Sequence, residues 1–267
     1  MSTSQIVLLG AIAGATIFLG LPLARLRGPS LGLRAALCAV ATGILLFLLW
    51  DVLAHAVEPV EAALEDAVDE GEGWGEFVWL ASLLAGGVVV GLMSLVYYER
   101  WLKQRRAASF HANGLSEAAT LALLIATGIG LHNFAEGLAI GQSAASGETS
   151  LALVLVIGFA LHNATEGFGI VAPLAGEVPP PTVRFLALLG LIGGGPTLLG
   201  TVIGQAWTSD ALSILFLALA AGSILYVLIE LIGINRTYAA KPLVTWALLG
   251  GLVLGFGTDF VLEAVGG

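Results

Sequence analysis

Residues 117–143 read EAATLALLIATGIGLHNFAEGLAIGQS, a nearly unbroken apolar run whose main polar interruption is His132-Asn133 and Glu136. Nothing in it alternates with a period of two, as a barrel strand would, and at 1.5 Å per residue it is long enough for the roughly 30 Å hydrocarbon layer. The stretch reads as a transmembrane helix, which satisfies its own backbone polar groups where no water can. The rest of the chain has the same character. Of 267 residues, 58% are hydrophobic and 11% charged, with a mean hydropathy of +0.97, more apolar than one soluble core can hide. The expected fold class is all-α: a polytopic membrane protein with about eight transmembrane helices in one bundle and a single domain covering 1–267. Spans are predicted at 5–24, 34–57, 76–98, 117–143, 149–173, 183–205, 211–235 and 242–264.

Charge sets the orientation. Arg25, Arg27 and Arg34 follow the first span, Arg100, Lys103, Arg105 and Arg106 the third, and Arg184 and Arg236 the fifth and seventh. Those connections belong inside, which leaves both termini outside, in a cell (plasma or inner) membrane. The connection after the second span is read as an acidic loop, Glu58 through Glu76. The N-terminus has no basic n-region or cleavage site, so the first span is read as retained rather than as a signal peptide. A net charge of −9 argues against nucleic acid as a partner. Cys38 is the only cysteine, so any metal must be held by nitrogen and oxygen.

One pattern occurs twice, HNxxEG, as His132-Asn133-Phe134-Ala135-Glu136-Gly137 and His162-Asn163-Ala164-Thr165-Glu166-Gly167. Each copy falls near the middle of its span, where an ionisable group costs on the order of 3 kcal/mol. Positions i and i+4 share a helix face, so His132 with Glu136, and His162 with Glu166, each present imidazole and carboxylate together. The short connection between the spans makes them antiparallel, and the motifs come level when His132 sits beside Glu166 and Glu136 beside His162. Two His–Glu layers about a turn apart would form a site for a divalent transition metal such as Zn²⁺, Fe²⁺, Mn²⁺ or Cd²⁺, and not for Ca²⁺, Mg²⁺ or Cu⁺. Pairing of these groups as helix glue would need only one or two of them. Asn133 and Asn163 either ligate through oxygen or hydrogen-bond behind the ligands.

The doubled motif resembles the fourth- and fifth-helix signatures of the ZIP family of metal transporters, nearer its bacterial GufA-like branch. Ala221-Gly222-Ser223-Ile224-Leu225-Tyr226-Val227 followed by Glu230 is similar to that family's seventh-helix stretch. The resemblance implies transport of a divalent metal ion as substrate, with no cofactor, through a binuclear site between the fourth and fifth helices. It also implies an inverted relation between the first three and last three helices, and access alternating as one bundle slides against the other. The sequence departs from the family at Gly193-Gly194-Gly195-Pro196, where Gly195 stands in the place of a carboxylate.

Asp51 and His55 are again at i and i+4, with Glu58 a turn beyond; they are either an accessory metal site at the outer mouth or interfacial groups satisfied by a neighbour. Glu230 either marks an exit path or snorkels. His111 is assigned no site. The rival function, an intramembrane metal-dependent hydrolase, lacks the helical HExxH pattern. The partners expected are the metal ion and the lipid bilayer; a homodimer is left open, and so is the metal preferred.

Overall fold

The computed structural model describes residues 1–25, 30–108, 115–145, 149–206, 209–238 and 240–266. Among the described residues eight α-helices run in order: α1 (Thr3–Ala15), α2 (Leu31–Glu70), α3 (Trp74–Ala108), α4 (Glu117–Ala145), α5 (Thr149–Val171), α6 (Val183–Gly204), α7 (Asp210–Thr237) and α8 (Lys241–Gly266). Among the described residues there is no strand. Seven segments are long and apolar enough to cross a membrane, α1 counting together with the 3₁₀ turns that follow it to Arg25. The 23 residues of α5 reach about 35 Å, also of crossing length.

Local chemistry explains several ends. Ser2 forms a capping box with Gln5 at the start of α1, and Thr182 accepts the Phe185 N–H at 3.2 Å to open α6. Gly71, at φ +74°, closes α2 in the left-handed region that favours glycine. The acidic segment after the second span is helix to Glu70 and not a loop, because Ala-Ala-Leu-Glu-Asp-Ala-Val favours helix wherever it leaves the bilayer. That extension is held by Val60, which packs with Leu80 of α3 and Ile214 of α7. The first span departs from its expectation too, breaking at Thr16 into 3₁₀ turns, Thr16–Leu19 and Leu21–Arg25.

Of those seven segments α4 is the most buried. It packs along α6, α7 and α5, while α3 lies on α7 and α8 on α2 at the edges. The outer faces of α3 and α8 carry exposed aromatics: Trp79 near one end of α3, Tyr97, Tyr98 and Trp101 near the other, and Trp246 and Phe260 on α8. Trp79 and Tyr97 stand about 27 Å apart along α3, matching two interfacial belts.

Candidate metal site

Both halves of the doubled motif reach the same place. His132 Nε2 lies 3.2 Å from Glu136 Oε1 on its own helix and 3.8 Å from Glu166 Oε1 across on α5. That juxtaposition of His132 with Glu166 is the one the antiparallel register predicts. His132, Glu136 and Glu166 are all buried. Beyond these two contacts, both His132 ring nitrogens, Glu136 Oε2 and both Glu166 oxygens lack a hydrogen bond of good geometry. Buried acceptors without donors are costly in a folded protein, and a cluster of them is what a dication would relieve. The His162 side chain lies outside the described residues. Among those described, no three His, Cys, Asp or Glu side chains form a ready-made cage.

The two asparagines behave identically. Asn133 Nδ2 donates to the Gly193 carbonyl of α6 at 3.0 Å, and Asn163 Nδ2 donates to the Ala13 carbonyl of α1 at 3.0 Å. Each amide is thereby fixed, with its Oδ1 buried and unpartnered, an oxygen donor held toward the interior.

The same correspondence extends along the helices. One turn beyond each asparagine, Gly137 lies against the Thr197 carbonyl and Gly167 against the Ile17 carbonyl. Ala13 and Ile17 of the first span thus stand to α5 as Gly193 and Thr197 of α6 stand to α4. Gly10, Gly14 and Gly20 fall in register with Gly190, Gly194 and Gly200. Residue numbers rise together in both pairs, so α1 is parallel to α5 and α6 to α4. Because α4 and α5 are antiparallel, the two halves are related by inversion. The outer helices obey the same rule: Gly43 of α2 meets the Leu248 carbonyl of α8, and Gly222 of α7 meets the Val88 carbonyl of α3. This register pairs Asp51 with Glu230 and Glu99 with Asp259. The family resemblance implies this inverted relation; along the chain its local signals are the doubled HNxxEG and the spacing of small residues.

Gly195 does not face this site. A Cβ there would meet only Leu191 of its own helix, whereas one at Gly200 or Gly204 would press on α4 and one at Gly194 on α1.

Asp51 is half-buried, and its charge bears on both His132 and Glu136. His55 hangs outside it, 64% exposed, with Nδ1 3.5 Å from Asp51 Oδ1; Glu58 is exposed. At the opposite end of the bundle a cavity of about 540 Å³ is lined by Arg34, Cys38, Glu99, Glu117, Glu230 and Tyr238, with Thr120 and Leu124 on its α4 wall. Thr120, Leu124, Gly128 and His132 form one i+4 stripe, and about 12 Å of helix separates Leu124 from His132. Glu230 therefore joins a vestibule whose other charged residues, Arg34, Glu99 and Glu117, sequence reading had not grouped with it, since they come from four helices. His111 lies outside the described residues. One G-x-S-x-G pattern does occur, at 28–32, but its Ser30 caps α2 by accepting the Leu33 N–H at 3.2 Å.

The chain is thus an all-α polytopic membrane protein with a buried histidine and carboxylate cluster between two central helices. The sequence pattern of the ZIP zinc transporter family matches residues 102–262, more than half of the chain, and the chain belongs to that family. A comparison with curated proteins finds no match. Membership carries divalent metal-ion transport with it and makes the metal a transported substrate, not a cofactor.

Proposed function

We propose that the ion is a divalent transition metal of the Zn²⁺, Fe²⁺, Mn²⁺ or Cd²⁺ class, and that His132, Glu136, His162 and Glu166 hold it midway through the membrane. The observation that carries this reading is the unpartnered set around His132, in which one imidazole faces carboxylates from two helices. Imidazole with carboxylate suits these ions better than the all-oxygen shells that Ca²⁺ and Mg²⁺ take. Asn133 and Asn163 add neutral oxygens through their fixed Oδ1 atoms. Asp51, with His55 and Glu58 beyond it, attracts the ion at one mouth. Glu230 draws it toward the vestibule at the other. With no carboxylate reaching the site from α6 at Gly195, one ion is held tightly and a second weakly or with water completing its shell.

The test is net flux. Purified protein in liposomes is expected to accumulate metal across a panel of divalent ions, and an enzyme or sensor would not. Flux should also fall as pH drops from about 7 to 5, because the ligand form of histidine is neutral and that of glutamate ionised, so protons compete with metal for both. A flat profile over that window would remove imidazole from the ligand set.

The orientation is part of the proposal. Arg25, Arg34, Arg100, Arg236 and Lys241 share the vestibule end of the bundle, which the positive-inside rule puts in the cytoplasm of a cell membrane. With Cys38 replaced, a cysteine at Gly71 is expected to react with an impermeant maleimide from outside and one at Gln104 only after permeabilisation. The opposite labelling would invert the assignment.

A further inference from the structure

The inverted repeat pairs Asp51 and Asp259 at one mouth with Glu230 and Glu99 at the other, where the vestibule adds Glu117. It does not repeat the basic residue Arg34. Arg34, in the first turn of α2, lines the vestibule; its counterpart in the first turn of α7 is Ser213. The guanidinium arm passes across a turn. Arg34 Cδ, Nε and Cζ pass 3.3 Å from where a Cβ on Gly176 would stand, and Gly176 has φ +83°, a conformation that keeps that position bare. Tyr238, on the same wall, feels the charge. Burial pushes its phenol up, with Cys38 adding to the rise, and Arg34 opposes both.

We infer that Arg34 is a tethered cation that competes with the departing metal for the vestibule carboxylates, so that the inner mouth binds the metal more weakly than the outer mouth does. The inference rests on the proposed path through Glu230. A dication leaving His132 enters a chamber with three carboxylates, Glu99, Glu117 and Glu230, deep enough to trap it. One fixed positive charge in that chamber raises the ion's energy there and shortens its stay. It also opposes return of metal from the inner side. Arg34 acts on the two half-reactions unequally without altering the equilibrium, since net flux is still zero when the free metal activity is equal on both sides and no potential is applied.

The experiment uses sealed right-side-out vesicles containing the full chain, preloaded with buffered Zn²⁺, in which initial uptake of labelled Zn²⁺ is measured against internal and external zinc. Arg34→Gln is expected to lower the internal zinc concentration that halves uptake by about tenfold, the size expected for one nearby charge acting on a dication in partly screened surroundings. Half-saturation from outside should stay as in the parent, and Arg34→Lys should restore the parent's internal value. An unchanged internal value in Arg34→Gln, or equal shifts on both sides, or failure of the lysine to rescue, overturns the inference. Glu230→Gln separates the two readings: if it raises the internal value while Arg34→Gln does nothing, the path stands and the role of Arg34 falls. If Glu230→Gln changes neither side, the path itself is wrong and the role of Arg34 falls with it.

Discussion

Changing Glu166 to glutamine is expected to lower metal uptake at least about 100-fold while the protein still folds and reaches the membrane, since loss of even an outer-shell partner costs 10- to 100-fold. Glu166 is 1% exposed, and it is the α5 carboxylate that reaches His132 across the helix interface. The substitution keeps size and shape and removes only the negative charge. A dication at the centre of a bilayer depends on that charge, because the surroundings supply almost none. For folding the sign is opposite. With no ion bound, a buried carboxylate that has the His132 contact but no hydrogen bond of good geometry is a liability, so the amide should leave the thermal midpoint unchanged or raise it. Loss of uptake together with a higher midpoint is the signature of a group kept for binding. Uptake above about a tenth of the parent's rate would remove Glu166 from the ligands, being less than the loss of an outer-shell group.

The second large effect concerns neighbouring glycines. Gly194→Ala is expected to destabilise the protein by about 1–3 kcal/mol, the range for overpacking, and Gly195→Ala to do no harm. Helix propensity alone would have both changes stabilise by up to about 1 kcal/mol. At Gly194 the added methyl would meet the Gly14 carbonyl oxygen of α1 and the Ile17 side chain, and Gly14 meets Gly194 in the same way; at Gly195 it would make ordinary contact with Leu191. Backbone cannot give way as a side chain can, so α1 and α6 must part. Thermal unfolding in detergent reads the pair directly, with a fall of roughly 2–10 °C for the first variant. Equal midpoints for the two variants would mean that the α1 and α6 backbones are not in contact.

What the sequence discloses follows from which physical signal each feature leaves. Apolar runs of crossing length are enforced by lipid along their whole extent, so the helices and the all-α class are legible. The His132 and Glu136 pair is legible because i and i+4 spacing on a helix is a geometric identity, and its meeting with Glu166 follows from a short connection. The extension of α2 to Glu70 is not, because charge marks where a chain leaves the bilayer and says nothing about where its helix ends. The break at Thr16 leaves no mark either, since the apolar run continues through it. The direction of Gly195 escapes for a different reason: rotation of α6 about its own axis is set by its partners and not by its letters. Arg34, Glu99, Glu117 and Glu230 lie too far apart in the chain for any window to join them.

The glycine contacts between helix backbones also say how this chain is free to drift. At Gly14, Gly43, Gly91, Gly137, Gly194, Gly222 and Gly251 the neighbour is a main-chain carbonyl, which every possible partner residue carries alike. No compensating substitution opposite can make room, so these positions admit one letter each. On the outer faces of α3 and α8 the neighbour is lipid, and many apolar residues serve equally well. Mutational scanning of this protein should therefore return narrow intolerant stripes down otherwise permissive helices. The stripes would mark helix-to-helix seams, and the vestibule residue Arg34 would stand apart from them as a position where charge matters more than size.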